Sequence, residues 1–345
     1  MKAMKLTGIG QMELMEVPAP AIAHPDDMLI KVSQVGVCGS DIHYYATGRI
    51  GSQVVEFPFA VGHETAGVVV ETGSGVKNLQ PGDRIAIDPA VSCGDCDQCL
   101  AGRSHTCRKL KFLGCPGQLE GSLMEYIVMP EKCCYKIPGH MTMDEAVISE
   151  PLAIGVYAVN QAGSLEGKRV GIFGFGPIGM SVMLAGKAKG ASDFIATDLI
   201  EARKDFARKL GAAWVGDGHD PGLAAKIYKE TPLALDVIFE CCGKQEAVDI
   251  ALETLKPGGK LMLIGIPEFD RWSFSADLMR RKEIAIVNVR RQNECVAETL
   301  ELMASGKVNA RQMVTHRFPF EKTKEAFDMV KEYRDGVMKA MIEFD

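Results

Sequence analysis

The 345-residue chain contains no run of lysine and arginine of the kind that tracks phosphates, and its formal net charge of −6 is spread along its length. A nucleic-acid partner is therefore not expected. Residues 1–20 contain no apolar core followed by a small-residue cleavage site, so no secretory signal is read there. One uncharged run, residues 170–186, approaches the length of a membrane span, but Gly171, Gly174, Gly176, Pro177 and Gly179 interrupt it. That punctuation fits a buried strand, a tight turn and a helix instead. The eleven cysteines are odd in number and clustered, which argues against a disulfide framework and for metal-held thiolates in a reducing compartment. A cytoplasmic protein without a membrane partner is the expectation.

What is present is the balance of an ordinary globular protein, 47% apolar and 24% charged, at a length that calls for two domains. Cys93, Cys96, Cys99 and Cys107 follow C-x2-C-x2-C-x7-C. Four sulfurs complete a tetrahedral zinc site, and Gly94 and Gly102 let the backbone fold around it. A completed site has no position for substrate, so this ion would fasten a lobe. The spacing argues against a cysteine-rich turn without metal, and the acidic surroundings argue against a nucleic-acid-binding ribbon.

Upstream, GVCGSDIHYY carries Cys38, Ser40, Asp41, His43, Tyr44 and Tyr45, and GHE carries His63 and Glu64 just ahead of a valine-rich strand. A thiol, an imidazole and a carboxylate would leave zinc an open fourth position, as catalysis requires. Each residue alone has an ordinary structural explanation. Their joint occurrence ahead of the four-cysteine loop is what points to a metal.

Residues 170–173 read as a strand, Gly174-x-Gly176-x-x-Gly179 opens a helix, and FIATD reads as a second strand ending at Asp198, nineteen residues after Gly179. The glycines allow a tight turn and close approach of a pyrophosphate to a helix N-terminus. Asp198 would accept hydrogen bonds from a ribose and repel a 2′-phosphate, favouring NAD over NADP. LALDVIFECCG and KLMLIGIP read as strands, with a helix over KQEAVDIALETLKPGG closed by Gly258 and Gly259. These alternations predict a parallel, doubly wound sheet. Before about residue 150, short valine-rich strands between Pro and Gly turns predict a β-rich barrel.

The order of Cys38, GHE, the four-cysteine loop, EPLA from Glu150 and G-x-G-x-x-G resembles the zinc-containing medium-chain dehydrogenases over essentially the whole chain. CGSDIHYYATGRIG, EPLAIGVYA, GFGPIGM, ATDL and VTHRFP resemble their sorbitol (L-iditol) and polyol branch. The chain departs from relatives with a Cys2His zinc by offering Glu150 where they have cysteine. The resemblance implies an α/β fold: a GroES-like catalytic domain over residues 1–152 and 295–345, with a structural-zinc lobe near 88–115, and a Rossmann NAD-binding domain over 153–294.

The resemblance further implies two zinc ions per chain, one catalytic and one structural, NAD, a small polyol substrate and a homotetramer. Cys38 and His63 would hold the catalytic zinc, with Glu64 and Glu150 reaching it directly or through water; Glu64 is preferred as the direct ligand. Cofactor contacts would come from Gly174, Gly176, Pro177, Ile178, Gly179, Asp198, Arg203, Ile264, Gly265 and Ile266. Tyr44, Glu150 and one of Arg290 or Arg291 would meet substrate. Ser40 and His43 would relay the proton outward, with Glu150 as the rival base. The implied reaction oxidises a secondary hydroxyl to a ketose with hydride transfer to NAD+. L-Threonine or a vicinal diol such as 2,3-butanediol is the alternative substrate. A nonenzymatic dinucleotide-binding relative is the alternative of a different class, and the open metal set argues against it.

Overall fold

Met28, Ile30 and Val32 alternate with more accessible residues and are buried, which makes Asp27–Gly36 a strand with one face in a core. In the computed structural model, which describes residues 1–345, this strand is the centre of the first of two units. That unit comprises Met1–Glu150 with Val296–Asp345, and the second comprises Pro151–Cys295. Asp27–Gly36 pairs antiparallel with Glu64–Thr72, with Tyr126–Pro130 near its start and with Lys339–Glu343 near its end. Arg84–Ile87 and Cys134–Lys136 extend the seven-stranded sheet on one side, and Val314–Pro319 extends it on the other. The β-rich expectation for this part of the chain holds.

The register brings distant segments to one corner of that sheet. Gly36 lies opposite Glu64 on one side and Met341 on the other. Cys38, two residues past Gly36, and Lys339, two residues before Met341, therefore arrive beside the GHE segment. A Cβ on Gly36 would stand 2.2 Å from Glu64 Oε2, so the close approach of this backbone to the carboxylate requires glycine.

The second unit is a six-stranded parallel sheet in the order Trp214–Asp217, Asp193–Asp198, Arg169–Phe173, Leu235–Glu240, Leu255–Leu263, Ala285–Asn288. The order reverses between Arg169–Phe173 and Leu235–Glu240, and a doubly wound sheet binds its ligand at that reversal. One expectation is corrected here. The helix after Leu235–Glu240 spans Gln245–Thr254 and ends at Leu255, so Gly258 and Gly259 lie within the strand Leu255–Leu263 and do not cap it. Pro257 restricts Lys256 to extended backbone, which stops the helix early. The Pro-Gly-Gly segment then forms an irregularity, with Leu235 opposite Leu255 but Val237 opposite Lys260. No helix is long and apolar enough to cross a membrane.

Candidate active site

Cys38 stands at the N-cap of the helix Gly39–Thr47. The cap is completed by Asp41, whose Oδ2 accepts from the Cys38 backbone N–H at 3.2 Å. The other oxygen of the buried Asp41 accepts from the Gly62 N–H at 3.1 Å and lies 3.3 Å from His63 Nδ1. One carboxylate thus fixes both candidate ligands, the thiol through its backbone and the imidazole through its ring. Asp41 was visible in the sequence but carried no assignment there. Burial works against a charged His63, and the Asp41 and Cys38 charges outweigh it, holding the imidazole well above the ordinary histidine pKa. The same negative groups would attract a metal cation.

Ligand atoms of Cys38, His63 and Glu64 lie within 4.8 Å of one another, a set with room for a further partner. Glu64 is fully buried and is gripped by Lys339, whose Nζ is 2.6 Å from Oε1 and 2.7 Å from Oε2 and donates to the Val37 carbonyl at 3.1 Å. Lys339 is 1% exposed and compensates the charge of Glu64. Sequence reasoning missed this lysine. Its signal was a charge inside an apolar terminal strand, which requires a buried partner.

Glu150, in the helix Met143–Ala162, is buried, and its Oε2 has no hydrogen-bond partner. Burial and the neighbouring Glu64 raise its pKa to about 7, against the opposing pull of His63 and Lys339. A carboxyl at that value exchanges protons readily near neutrality. The Ser40 hydroxyl donates to Cys38 Sγ at 3.3 Å. His43 is half-buried one turn along the same helix. Tyr44 is buried, and its hydroxyl donates to Gln53 Oε1 at 3.1 Å.

The four-cysteine loop meets the geometry of a closed zinc site. Its sulfurs are separated by 3.4 Å between Cys93 and Cys107, 3.6 Å between Cys96 and Cys99, and 3.9 Å for both Cys93–Cys99 and Cys96–Cys107. Tetrahedral Zn–S bonds of about 2.3 Å require edges of about 3.8 Å. Backbone N–H groups of Cys93 and Lys109 donate to Cys107 Sγ, as thiolate ligands require. The Arg108 backbone N–H pulls the Cys96 thiol down to about 6.

In the second unit the glycine turn sits at the end of Arg169–Phe173, with Gly176 as N-cap and Pro177 opening the helix Pro177–Ala188. Gly174 has φ +90°, and a Cβ on Gly179 would stand 2.1 Å from the Gly174 carbonyl oxygen. Gly176, Pro177 and Ile178 remain partly accessible, as a phosphate turn needs. Asp198 Oδ2 accepts from the Phe175 N–H at 2.6 Å and Oδ1 accepts from the Ile200 N–H at 2.9 Å. The acid therefore braces the turn. Arg203 lies against the turn, with Nη1 3.3 Å from a Cβ placed on Gly176. Ile264, Gly265 and Ile266 follow the strand Leu255–Leu263. Arg290 is exposed and Arg291 half-buried after Ala285–Asn288, in this second unit.

Comparison with known proteins agrees with this geometry. Residues 24–139 match the alcohol dehydrogenase GroES-like domain, and residues 177–305 match the zinc-binding dehydrogenase family. The chain belongs to the zinc-binding dehydrogenases. It is an oxidoreductase with a GroES-like domain and a Rossmann-type domain. It is 34% identical to sorbitol dehydrogenase of Bacillus subtilis over 99% of this chain and 97% of that one. It is 35% identical to D-xylulose reductase A of Aspergillus niger over 94% and 92% of the two chains. The structure of 2R,3R-butanediol dehydrogenase from Bacillus subtilis superimposes with a TM-score of 0.88 at 27% identity, covering 99% of each chain.

Proposed function

We infer that the enzyme oxidises a polyol of the sorbitol, xylitol or iditol type at a secondary hydroxyl, giving the ketose and using NAD+. The observation that carries this reading is the convergence of Cys38, His63 and Glu64 in a buried corner beside the partnerless oxygen of Glu150. The polyol-acting relatives support the substrate class. When bound, zinc supplies Lewis acidity toward an alcohol oxygen and NAD+ supplies a hydride acceptor.

The residues have separate tasks. Cys38, His63 and Glu64 hold the catalytic metal, with Glu150 reaching it through water. Asp41 holds His63 through Nδ1 and leaves Nε2 for the metal. Lys339 fixes the direction of Glu64 and limits the negative charge of the ligand set. Glu150 takes the substrate proton, and Ser40 and His43 offer a route outward. Tyr44, Glu150 and one of Arg290 or Arg291 match substrate hydroxyls. Cys93, Cys96, Cys99 and Cys107 hold a second, structural zinc.

The glycine turn, Ile178, Arg203 and the segment from Ile264 to Ile266 hold NAD. Asp198 makes a 2′-phosphate unwelcome. The open edge of Ala285–Asn288, paired on one side only, supports self-association, which we assign to a cytoplasmic homotetramer.

The test is a screen of sorbitol, xylitol, galactitol, L-threonine and 2,3-butanediol with NAD+ and NADP+. A polyol with NAD+ should give the highest kcat/KM. The butanediol dehydrogenase relative favours a vicinal diol as the second reading, and a preference for butanediol or threonine would replace the first.

A further inference from the structure

Gln53 lies on the short strand Gln53–Val54, paired with Arg49–Ile50 just beyond the helix Gly39–Thr47. Its amide is held between two side chains. Tyr44 donates to Oε1 at 3.1 Å, and Nε2 donates to Cys115 Sγ at 2.8 Å. The Tyr44 hydroxyl and the Cys115 sulfur are themselves 3.9 Å apart, which closes a triangle. Tyr44 and Cys115 are 5% and 3% exposed, whereas Gln53 is only half-buried.

Both partners lead back to the metal-ligand corner. Tyr44 is on the helix that begins at Cys38. Cys115 follows Gly114, where a Cβ would stand 2.8 Å from the carbonyl oxygen of Gly62, the residue before His63. The Phe112 ring, three residues before Cys115, lies 5.4 Å from the His63 ring.

A primary amide has two N–H donors and two acceptor lone pairs. The triangle uses one of each. Turning the amide by half a rotation gives the same count, with Nε2 donating to Tyr44 and the Cys115 thiol donating to Oε1. One donor and one acceptor remain on a half-buried group whose orientation its neighbours fix. That pair complements the hydroxyls of a carbohydrate chain. An alkyl chain in the same place would strip water from the amide and return nothing, so the discrimination exceeds the attraction alone.

We propose that Gln53 is a specificity-determining residue that reads a substrate hydroxyl other than the reacting one, with Tyr44 and Cys115 positioning its amide. The proposal rests on the hydroxylated-substrate reading above.

The test compares wild type with Gln53→Met, similar in shape but unable to pair. The readouts are kcat/KM on the best polyol and on 2-butanol, with the inhibition constant of 2-butanol replacing its rate if turnover is slow. Loss on the polyol should be about tenfold or more, the size of one lost hydrogen-bonding partner, and should fall mainly in KM. The value for 2-butanol, the KM for NAD+ and the zinc content should not fall. Gln53→Glu keeps acceptors and removes donors; it should lose part of the same discrimination, and it carries the comparison if the Met variant does not fold. Equal losses on both alcohols, or unchanged discrimination, would overturn the role. If wild type instead prefers butanediol, the polyol reading fails on its own, and the same ratio measured on that diol still decides the role of Gln53; a preference for threonine, which has no second hydroxyl, would overturn both.

Discussion

The four-thiol loop and the corner formed by Cys38, His63 and Glu64 lie in the same unit and differ in almost every other respect. The loop draws its sulfurs from Cys93 to Cys107, and its spacings already outline a tetrahedron. The corner draws on Cys38, Glu64 and Lys339, which meet only because strand register sets Gly36 between Glu64 and Met341. In the loop the candidate ligand atoms are all sulfur, and four is the number a tetrahedral zinc site takes. In the corner the candidate ligands are mixed, each is held by a neighbour, and Glu150 lies near them with one oxygen unpartnered. A fastener can be local and saturated, whereas a reactive centre must be incomplete and needs the fold to keep it so.

Mutation can separate the two. Cys96→Ser should cost more than about 5 kcal/mol of stability, a part of the 10–16 kcal/mol that structural zinc contributes in small peptides. Denaturant unfolding checks this, and the fraction that folds should keep its activity per chain. A stable, inactive Cys96→Ser protein would break the comparison. His63→Ala should do the reverse. Turnover should fall by about a thousandfold or more, the several kcal/mol of charge stabilisation that a Lewis acid supplies, with a folded chain by circular dichroism.

The loop was legible in the sequence because its chemistry is contained in sixteen residues, from Ser92 to Cys107. The glycine turn was legible for the same reason, since Gly174, Gly176 and Gly179 are joined by a few bonds. Cys38, His63 and Glu64 could be named but not placed together without the sheet. Lys339 was invisible because its partner lies 275 residues away. Gln53 was invisible because its triangle needs Cys115, 62 residues on. Gly258 and Gly259 misled because Pro257 had already ended the helix.

A smaller effect sharpens the corner's side of the comparison. Lys339→Met leaves the buried Glu64 carboxylate uncompensated, so the metal-free protein should lose about 3–5 kcal/mol, the cost of breaking a buried ion pair. Zinc should restore part of that loss, and unfolding with and without metal measures it. An unchanged stability would mean that Lys339 does not compensate Glu64.

The smallest effect lies outside both candidate metal sites. Asp198→Ser removes the charge that opposes a 2′-phosphate and also an acceptor for the Phe175 N–H. NAD+ affinity should fall, and the NADP+ to NAD+ ratio of kcat/KM should rise by about tenfold, the size of a ~1.4 kcal/mol charge repulsion. An unchanged ratio would show that Asp198 serves only the turn.

The most direct test of the division of labour is staged chelation of the purified enzyme, following zinc content, activity and melting temperature together. Two zinc ions per chain are expected at the start. The first to leave should take all activity with it and change the melting temperature little. The second should leave later and lower the melting temperature sharply. A single ion in fully active protein, or full activity after the first ion has gone, would contradict the account.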